Sequence, residues 1–310
     1  MPALGDLDVF GLCLGGNTFG WTSDEAESFA VLDAYVAAGG NFIDTADGYS
    51  FWVPGHGGGE SETVLGNWMA ARGNRDELVI ATKVGQYPGL EGTGAATVRA
   101  AAEASLRRLQ TDRIDLYYAH IDDEKTPIAE TLGAFDALVR EGKVREIAAS
   151  NFSAARLGEA LATSDREGFA RYVGLQTHYN LVFRDEYEGA LRDLCAAEGV
   201  ACLPFWALGS GFLTGKYRRD GSGGEGFRAQ MAGRYAEGTG FDVVDAVERI
   251  AADRGVPMAA VALAWLSAQP TVATPLASAR TVQQLGELLP FLGLELSGDE
   301  LARLDTAHAG

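Results

Sequence analysis

Four polar side chains in the first half of the chain have the chemistry needed to deliver a proton to a carbonyl oxygen. Asp44 and Tyr49 follow one apolar segment, Lys83 lies in a second and His120 follows a third. A phenol has an ordinary pKa of about 10, and a neighbouring ammonium lowers that pKa by favouring the phenolate. We therefore expect Tyr49 to be the acid and Lys83 to lower its pKa. Asp44 would hold Lys83 in place, and His120 would orient the carbonyl.

Lys83 is the hardest of these residues to explain as an ordinary structural residue. The chain has lysine at only four positions, and this one directly follows the apolar run VIAT. An unpaired ammonium buried in an apolar strand is costly, so it needs an acidic partner or a catalytic role. Taken singly, each of the other three residues is readily explained by a structural role. Asp44 could belong to a turn, Tyr49 could expose its hydroxyl at the surface, and His120 could be hydrogen-bonded in place without a catalytic role. Only the four residues taken together favour catalysis over these structural roles.

The segments that must position these side chains alternate between helical and strand patterns. Residues 23–40 have a polar cap, apolar Phe29, Leu32 and Val36 at helical spacing, and a Gly-Gly stop. This helix leads directly into the strand NFIDTAD. With GLCLGGN as the first strand, the later strand patterns are LVIATKV, IDLYYAH, VREIAAS, YVGLQTHYN, VACLPFW and TVATPLAS, which makes eight.

Eight continuous apolar strands separated by helices predict an α/β fold, a (β/α)8 TIM barrel built as a single domain over residues 1–310. The alternative, a doubly wound sheet that binds a dinucleotide, needs a GxGxxG pattern that GLCLGGNTFG lacks. The one long interruption is the glycine-rich stretch 207–240, predicted as a long functional loop after the seventh strand. Catalytic side chains of such barrels lie at the C-terminal ends of the strands.

The order of these motifs resembles that of the aldo-keto reductase family over nearly the whole chain, from GLCLGGNTFG to TPLASARTVQQL. NFIDTADGY matches the family's strand with an aspartate and, five residues later, a tyrosine, while IATKVG and DLYYAHID match its lysine and histidine strands. The resemblance implies a catalytic tetrad of Asp44, Tyr49, Lys83 and His120. It also implies that an aldehyde, ketone or keto-sugar is reduced to the alcohol, with hydride from a nicotinamide and the proton from Tyr49.

The second half of the chain carries segments similar to the family's cofactor site: REIAASNFS, GLQTHYNL, LPFWALGSGFLTGKY and SARTVQQL. The resemblance implies that Ser150, Asn151 and Gln176 hold the nicotinamide carboxamide. Phe205 is implied to stack on the nicotinamide ring, in place of the family's usual tyrosine. The residues implied to line the pyrophosphate are Leu208, Ser210, Gly211, Leu213 and Lys216. Those implied to cradle the adenosine 2′-phosphate are Ser278, Ala279, Arg280 and Gln284.

The choice between NADPH and NADH depends on the last of these segments. Arg280 is the expected phosphate partner, because a guanidinium suits a phosphate dianion. Ser278, Gln284 and Leu288 depart from the residues that the family often has at these positions. We therefore expect NADP(H) as the cofactor, with NAD(H) as the alternative that these departures leave open.

The overall composition limits the classes of partner. A net charge of −18 disfavours binding to a nucleic-acid backbone or to an anionic membrane. The three cysteines form no CxxC pair, and the four histidines are too widely spaced for a metal-ligand set. With no basic leader or long apolar span, we expect a cytoplasmic enzyme without a metal, monomeric or a weak homo-oligomer, acting on a small carbonyl compound.

Two other functions stay open at this stage. In a Schiff-base lyase, Lys83 would attack a carbonyl as a neutral amine, and a nearby Asp44 disfavours this by stabilising the ammonium. In a non-catalytic sensor, the same fold would bind the cofactor without turnover.

Other residues near the expected barrel mouth carry weaker signals. Trp21, Phe51 and Trp52 lie in loops and either wall the substrate pocket or simply cap the barrel. His56 is flanked by glycines and His178 lies near a strand end, and no role is assigned to either.

Overall fold

The computed structural model describes residues 4–220, 222–223 and 227–309, and within them eight parallel strands form a barrel. The strands, including a short hairpin of β4 and β5, are β1 (Cys13–Gly15), β2 (Phe42–Asp44), β3 (Val79–Val84), β4 (Gln86–Tyr87), β5 (Leu90–Glu91), β6 (Ile114–Ala119), β7 (Val144–Ser150), β8 (Tyr172–His178), β9 (Ala201–Phe205) and β10 (Leu276–Ala277). The barrel strands are hydrogen-bonded in the order β10-β1-β2-β3-β6-β7-β8-β9. The predicted (β/α)8 barrel is confirmed.

The two ends of this sheet are joined by hydrogen bonds between β9 and the residues before β10. The Cys202 N–H donates to the Thr271 carbonyl at 2.8 Å, and the Cys202 carbonyl accepts from the Ala273 N–H at 3.0 Å. All three cysteines are buried and form no disulfide. The circle of strands thus leaves no long unpaired edge on either β9 or β10.

Helices alternate with the strands and pack around the barrel. They are α1 (Glu25–Ala37), α2 (Glu60–Arg72), α3 (Ala95–Leu109), α4 (Ile128–Arg140), α5 (Ala154–Glu167), α6 (Ala190–Glu198), α7 (Phe227–Gly233), α8 (Gly240–Arg254), α9 (Met258–Ser267), α10 (Val282–Leu288) and α11 (Gly298–Ala309). α1 begins with the predicted cap, in which Asp24 accepts from the Glu27 N–H and Glu27 accepts from the Asp24 N–H. No helix in the described part of the chain is both long and apolar enough to cross a bilayer.

Alternation along the strands decides which side chains face the barrel interior. One buried apolar cluster contains a residue from each of four neighbouring strands, namely Phe42, Ala81, Leu116 and Ala148. Side chains two residues apart on a strand share a face, so the next inward positions towards the C-terminal ends are Asp44, Lys83, Tyr118 and Ser150. The apolar interior therefore ends in a polar layer at the mouth of the barrel.

The structure differs from the sequence patterns in two places. The eighth strand was predicted over residues 271–278, but it is regular only at Leu276–Ala277, because Pro275 has no N–H for the sheet. Residues 207–240 were expected to be irregular, yet they contain a 3-10 helix at Gly209–Thr214 as well as α7. Residues 221 and 224–226 of this stretch lie outside the described residues.

Candidate active site

Lys83 is at the centre of a polar cluster at the mouth of the barrel. Its Nζ donates to Asp44 Oδ2 at 2.5 Å, to Tyr49 Oη at 2.8 Å and to the Thr45 carbonyl at 2.8 Å. The side chains of Lys83 and Asp44 are both fully buried. An ammonium has three N–H groups, and here each has an acceptor, which is what a buried charge requires.

Asp44 is held from two sides of the barrel. Its Oδ1 accepts from Gln176 Nε2 at 2.8 Å, while Oδ2 accepts from Lys83 and lies 3.3 Å from Tyr49 Oη. Gln176 comes from β8 and Asp44 from β2, 132 residues earlier in the chain. The closed barrel brings these two positions together, and the carboxylate is left with no freedom to rotate away from Lys83.

The phenol of Tyr49 is half-buried beside this ion pair. Burial, followed by the charge of the Asp44 carboxylate, raises the pKa of Tyr49 well above its ordinary value. Lys83 does not produce the expected net lowering of this pKa, because burial and the Asp44 carboxylate together outweigh the effect of the ammonium on the phenol. The Tyr49 hydroxyl keeps its proton throughout the neutral range.

His120 lies beside Tyr49, with their ring centroids 6.2 Å apart and the planes at 73°. Burial, and secondly the charge of Lys83, lowers the pKa of His120 well below its usual value, so the imidazole is neutral at neutral pH. Its Nδ1 is buried and has no hydrogen-bond partner among the described residues. A neutral imidazole can still donate one hydrogen bond to an oxygen placed near Tyr49. The structure thus brings together Asp44, Tyr49, Lys83 and His120.

The residues predicted to hold a carboxamide lie next to this cluster. Ser150 and Gln176 are register partners on β7 and β8. Asn151 has a left-handed backbone with φ of 61°, which asparagine tolerates better than most residues. Its amide donates to the His120 carbonyl at 2.9 Å and to Ser150 Oγ at 3.1 Å. Together these side chains offer both donors and acceptors to a small amide group.

Phe205 ends β9 opposite His178 in the strand register and is half-buried, as a stacking platform requires. The 3-10 segment after it bends sharply, since Ser210 and Gly211 have φ of 56° and 90°. Of the other residues predicted in this loop, Leu213 is buried in the core, so only its backbone can contact a ligand, whereas Leu208 packs against the core and is partly exposed. Lys216 is exposed and has no ion pair with any described residue.

The predicted phosphate segment runs from the end of β10 into the first turn of α10. Ser278 Oγ is 2.6 Å from Asn17 Oδ1, and Gln284 Oε1 accepts from the Arg280 N–H at 2.9 Å. Ala279 is fully buried and anchors the segment in the core. The Arg280 side chain is exposed and makes no ion pair within the described residues, which leaves its guanidinium available to an anion.

Aromatic side chains border Tyr49 on its outer side. Trp52 lies edge-on to Trp21 at 5.6 Å, to Phe51 at 5.4 Å and to Tyr49 at 6.3 Å between ring centroids. Phe51 and Trp52 are 41% and 44% exposed, respectively. This contact with Tyr49 favours the interpretation that the three aromatic side chains wall the substrate pocket over the alternative that they simply cap the barrel.

Two features of the mouth were missed by the sequence analysis. His178 is buried and hydrogen-bonded to the hydroxyl of Tyr235, although no role was predicted for it from the sequence. Asp47 is fully buried, and neither of its carboxylate oxygens has a hydrogen-bond partner among the described residues. The only signal for Asp47 was its position three residues after Asp44, at the end of an apolar strand. No group of three or more His, Cys, Asp or Glu residues in the described chain is placed to hold a metal ion.

The chain as a whole is similar to known proteins of one family. The family model described as Aldo/keto reductase family matches residues 11–309. The chain is 36% identical over 331 aligned positions to Protein tas of Escherichia coli (strain K12), which covers 97% of this chain and 95% of that protein. It is 33% identical to Norsolorinic acid reductase B of Aspergillus parasiticus, covering 97% of this chain and 81% of the relative. It is also 33% identical to Uncharacterized oxidoreductase YrpG of Bacillus subtilis (strain 168), covering 98% and 94%.

Proposed function

This chain belongs to the aldo/keto reductase family, and from that premise we propose that it reduces an aldehyde, ketone or keto-sugar with NADPH, using Tyr49 as the acid. The observation that carries the proposal is the position of Lys83 Nζ, which donates to both Asp44 and Tyr49 inside the barrel mouth. This arrangement places a protonated phenol, a fixed positive charge and a neutral imidazole around one small space. It is the set of groups that stabilises a developing alkoxide.

The role of each side chain follows from its charge and contacts. When a reduced nicotinamide is bound, it supplies the hydride. Tyr49 gives its proton to the alkoxide oxygen, which is more basic than a phenolate, and Lys83 at 2.8 Å stabilises the phenolate that remains. Asp44 holds Lys83 in place, and His120 directs the carbonyl by a hydrogen bond. Solvent then returns a proton to Tyr49.

The residues around the mouth suit a nicotinamide dinucleotide. Ser150, Asn151 and Gln176 provide amide and hydroxyl groups for the carboxamide, and Phe205 provides a ring face. The backbone of the turn at Ser210 and Gly211, with Lys216, suits the pyrophosphate. Arg280, with Ser278, Ala279 and Gln284 around it, suits a 2′-phosphate and favours NADP(H) over NAD(H).

The contacts of Lys83 disfavour the Schiff-base lyase. A lyase needs a neutral amine with a free lone pair, whereas all three protons of this ammonium have acceptors and one acceptor is a carboxylate. A non-catalytic sensor would keep the cofactor site without turnover, and the experiment below separates it from a reductase.

The test combines binding and turnover. Tyr49→Phe should bind NADPH with unchanged affinity, measured by quenching of protein fluorescence. Its reduction rate for a panel of small aldehydes and ketones should fall by about 10²- to 10⁴-fold. Tyr87→Phe is the control, because the Tyr87 hydroxyl makes no hydrogen bond with any described residue. Near-normal turnover by Tyr49→Phe would remove Tyr49 from the mechanism, and tight binding without any turnover in the unaltered protein would indicate a sensor.

A further inference from the structure

His178 is the hub of an aromatic cluster at the ends of β8 and β9. Its ring stacks on Phe183 with centroids 3.7 Å apart and planes at 11°. It lies nearly parallel to Phe205, at 5.6 Å and 19°, and meets Trp206 edge-on at 4.8 Å. Only 7% of His178 is exposed. The orientation of the Phe205 ring is therefore set in large part by the imidazole beside it.

The same imidazole is hydrogen-bonded to a residue 57 positions later in the chain. His178 Nε2 lies 2.8 Å from the hydroxyl of Tyr235, whose side chain is also buried. Burial, and secondly the charge of Arg234, lowers the pKa of His178 to about 4, so the ring is neutral at neutral pH. A neutral imidazole has one N–H and one unprotonated nitrogen, and a hydroxyl can accept from the first or donate to the second.

Tyr235 in turn packs on the 3-10 segment Gly209–Thr214. A Cβ atom built on Gly209 would lie 3.3 Å from the Tyr235 ring, and the Phe212 ring centroid is 6.0 Å from that of Tyr235. This segment contains the left-handed turn at Ser210 and Gly211. The hydrogen bond to His178 therefore connects the end of β8 to the turn proposed for the pyrophosphate.

A second polar contact fixes the backbone between these two regions. Asn180 Nδ2 donates to the Trp206 carbonyl at 2.9 Å and lies 3.4 Å from His178 Nε2. Trp206 has φ of 51°, a left-handed conformation that is strained for a residue of this size. Strain of this kind persists only where the surroundings hold it. Trp206 is held by His178 and Asn180, and also by the Arg234 guanidinium, 4.8 Å from the centre of its ring, and by the Gly209 N–H, which donates to its carbonyl at 2.7 Å.

We propose that His178 is a positioning residue for the cofactor: it aligns the ring of Phe205 by stacking and holds the turn at 209–214 through Tyr235. The proposal rests on the proposed function, because both contacts serve the nicotinamide and pyrophosphate side of that site. Within the described residues, no hydrogen bond or aromatic contact joins His178 to the Arg280 segment, which serves the adenosine end. The two ends of the cofactor should therefore respond differently to changes at His178.

Two substitutions remove the hydrogen bond and keep a ring at each position: His178→Phe and Tyr235→Phe. Each leaves a buried polar group without its partner, so the dissociation constant for NADPH should rise about 5- to 50-fold. The double variant should bind NADPH as tightly as the single variant with the lower affinity, because both changes remove the same interaction. Binding of 2′,5′-ADP, which has the 2′-phosphate but no nicotinamide, should stay within about twofold, as binding energies of separate contacts are nearly additive.

The matched control is Tyr187→Phe. The Tyr187 hydroxyl makes a buried hydrogen bond of 2.6 Å with Thr271, and neither residue is among those proposed to contact the cofactor. Its loss should lower thermal stability without changing the affinity for either ligand. A second readout needs no ligand: trypsin should cut more rapidly at Lys216, Arg218 and Arg219 in the His178 and Tyr235 variants, because the segment is less firmly held.

The outcomes separate this inference from the proposed function. If the unaltered protein binds neither NADPH nor NADH, the proposed function fails, and this inference fails with it. If the unaltered protein binds NADPH and folded His178→Phe or Tyr235→Phe binds it equally well, only the positioning role is overturned. Equal weakening of NADPH and 2′,5′-ADP would indicate a general loss of structure and would also overturn it. If His178→Phe does not fold, Tyr235→Phe alone decides the question.

Discussion

Asp47 offers a direct test of how burial controls charge near the active site. Its carboxylate is fully buried, and neither oxygen has a hydrogen-bond partner among the described residues. Burial, and secondly the charge of Glu62, raises the pKa of Asp47 to about 7, against smaller opposing effects of the nearby Gly48 N–H, Arg108 and Lys83. Glu62 already accepts from Arg108 at 2.6 Å, so that guanidinium does little for Asp47. At acidic pH, Asp47 is therefore a neutral acid.

The size of the effect follows from the two pKa values. The ordinary value is 3.8 and the folded value about 7, so ionising Asp47 in the folded chain costs about 4 kcal/mol more than in the unfolded chain. Because the folded pKa is raised, the contribution to stability is complete below about pH 4 and is lost as the pH rises through about 7. Between about pH 5 and about pH 8, the loss is about 2 to 3 kcal/mol.

The perturbation is Asp47→Asn, which keeps the shape of the side chain and removes the ionisation. Between about pH 5 and about pH 8, the free energy of unfolding of the variant should rise by about 2 to 3 kcal/mol relative to that of the unaltered protein, measured by urea unfolding. Asp253→Asn is the control, since Asp253 is exposed and has no ion pair with a described residue. A difference in unfolding free energy between Asp47→Asn and the unaltered protein that is the same at both pH values would refute the reasoning.

Three further predictions concern the cofactor, the acid and the packing of the helices. Arg280→Ala should lower the affinity for NADPH by about 10-fold or more and leave the affinity for NADH nearly unchanged in a fluorescence titration, because a contact with the 2′-phosphate is charge-assisted. Equal losses of affinity for the two cofactors would place Arg280 away from the phosphate. Since the pKa of Tyr49 is raised, kcat/KM for reduction should show no decline from loss of the acid between about pH 7 and about pH 9, and a decline there that persists in a stable Asp47→Asn background would contradict this assignment. Gly66→Ala should destabilise the folded chain by at least about 2 kcal/mol, because a Cβ there would lie 2.1 Å from the Arg108 carbonyl. The control is Gly286→Ala, which has open space around it and should stabilise the chain by up to about 1 kcal/mol. Similar shifts in melting temperature for the two variants would disprove the close contact of α2 and α3.

Local patterns were sufficient to predict the barrel. Continuous apolar strands such as β3 and β6 are buried along their whole length, as the run of apolar residues indicated. The cap of α1 is also as the residues Asp24 and Glu27 indicated. The strand that pattern alone placed least well is β10, where a proline interrupts the ladder and pairing passes from β9 to β1. The proline is a local signal for the break in the ladder, whereas the change of pairing partner depends on the closure of the sheet.

The sequence by itself determined which residue types stand at the ends of the strands, and its resemblance to the aldo-keto reductase family identified Asp44, Tyr49, Lys83 and His120 as one group. Only the tertiary structure decided their electrostatics: that Asp44 offsets Lys83 and the pKa of Tyr49 is raised. It also decided that His178 pairs with Tyr235 and that Asp47 is enclosed without a partner. The physical reason is one of range. Strand and helix periodicity depends on neighbours within a few residues, whereas a pKa or a long-range hydrogen bond depends on which distant segments exclude water around a group.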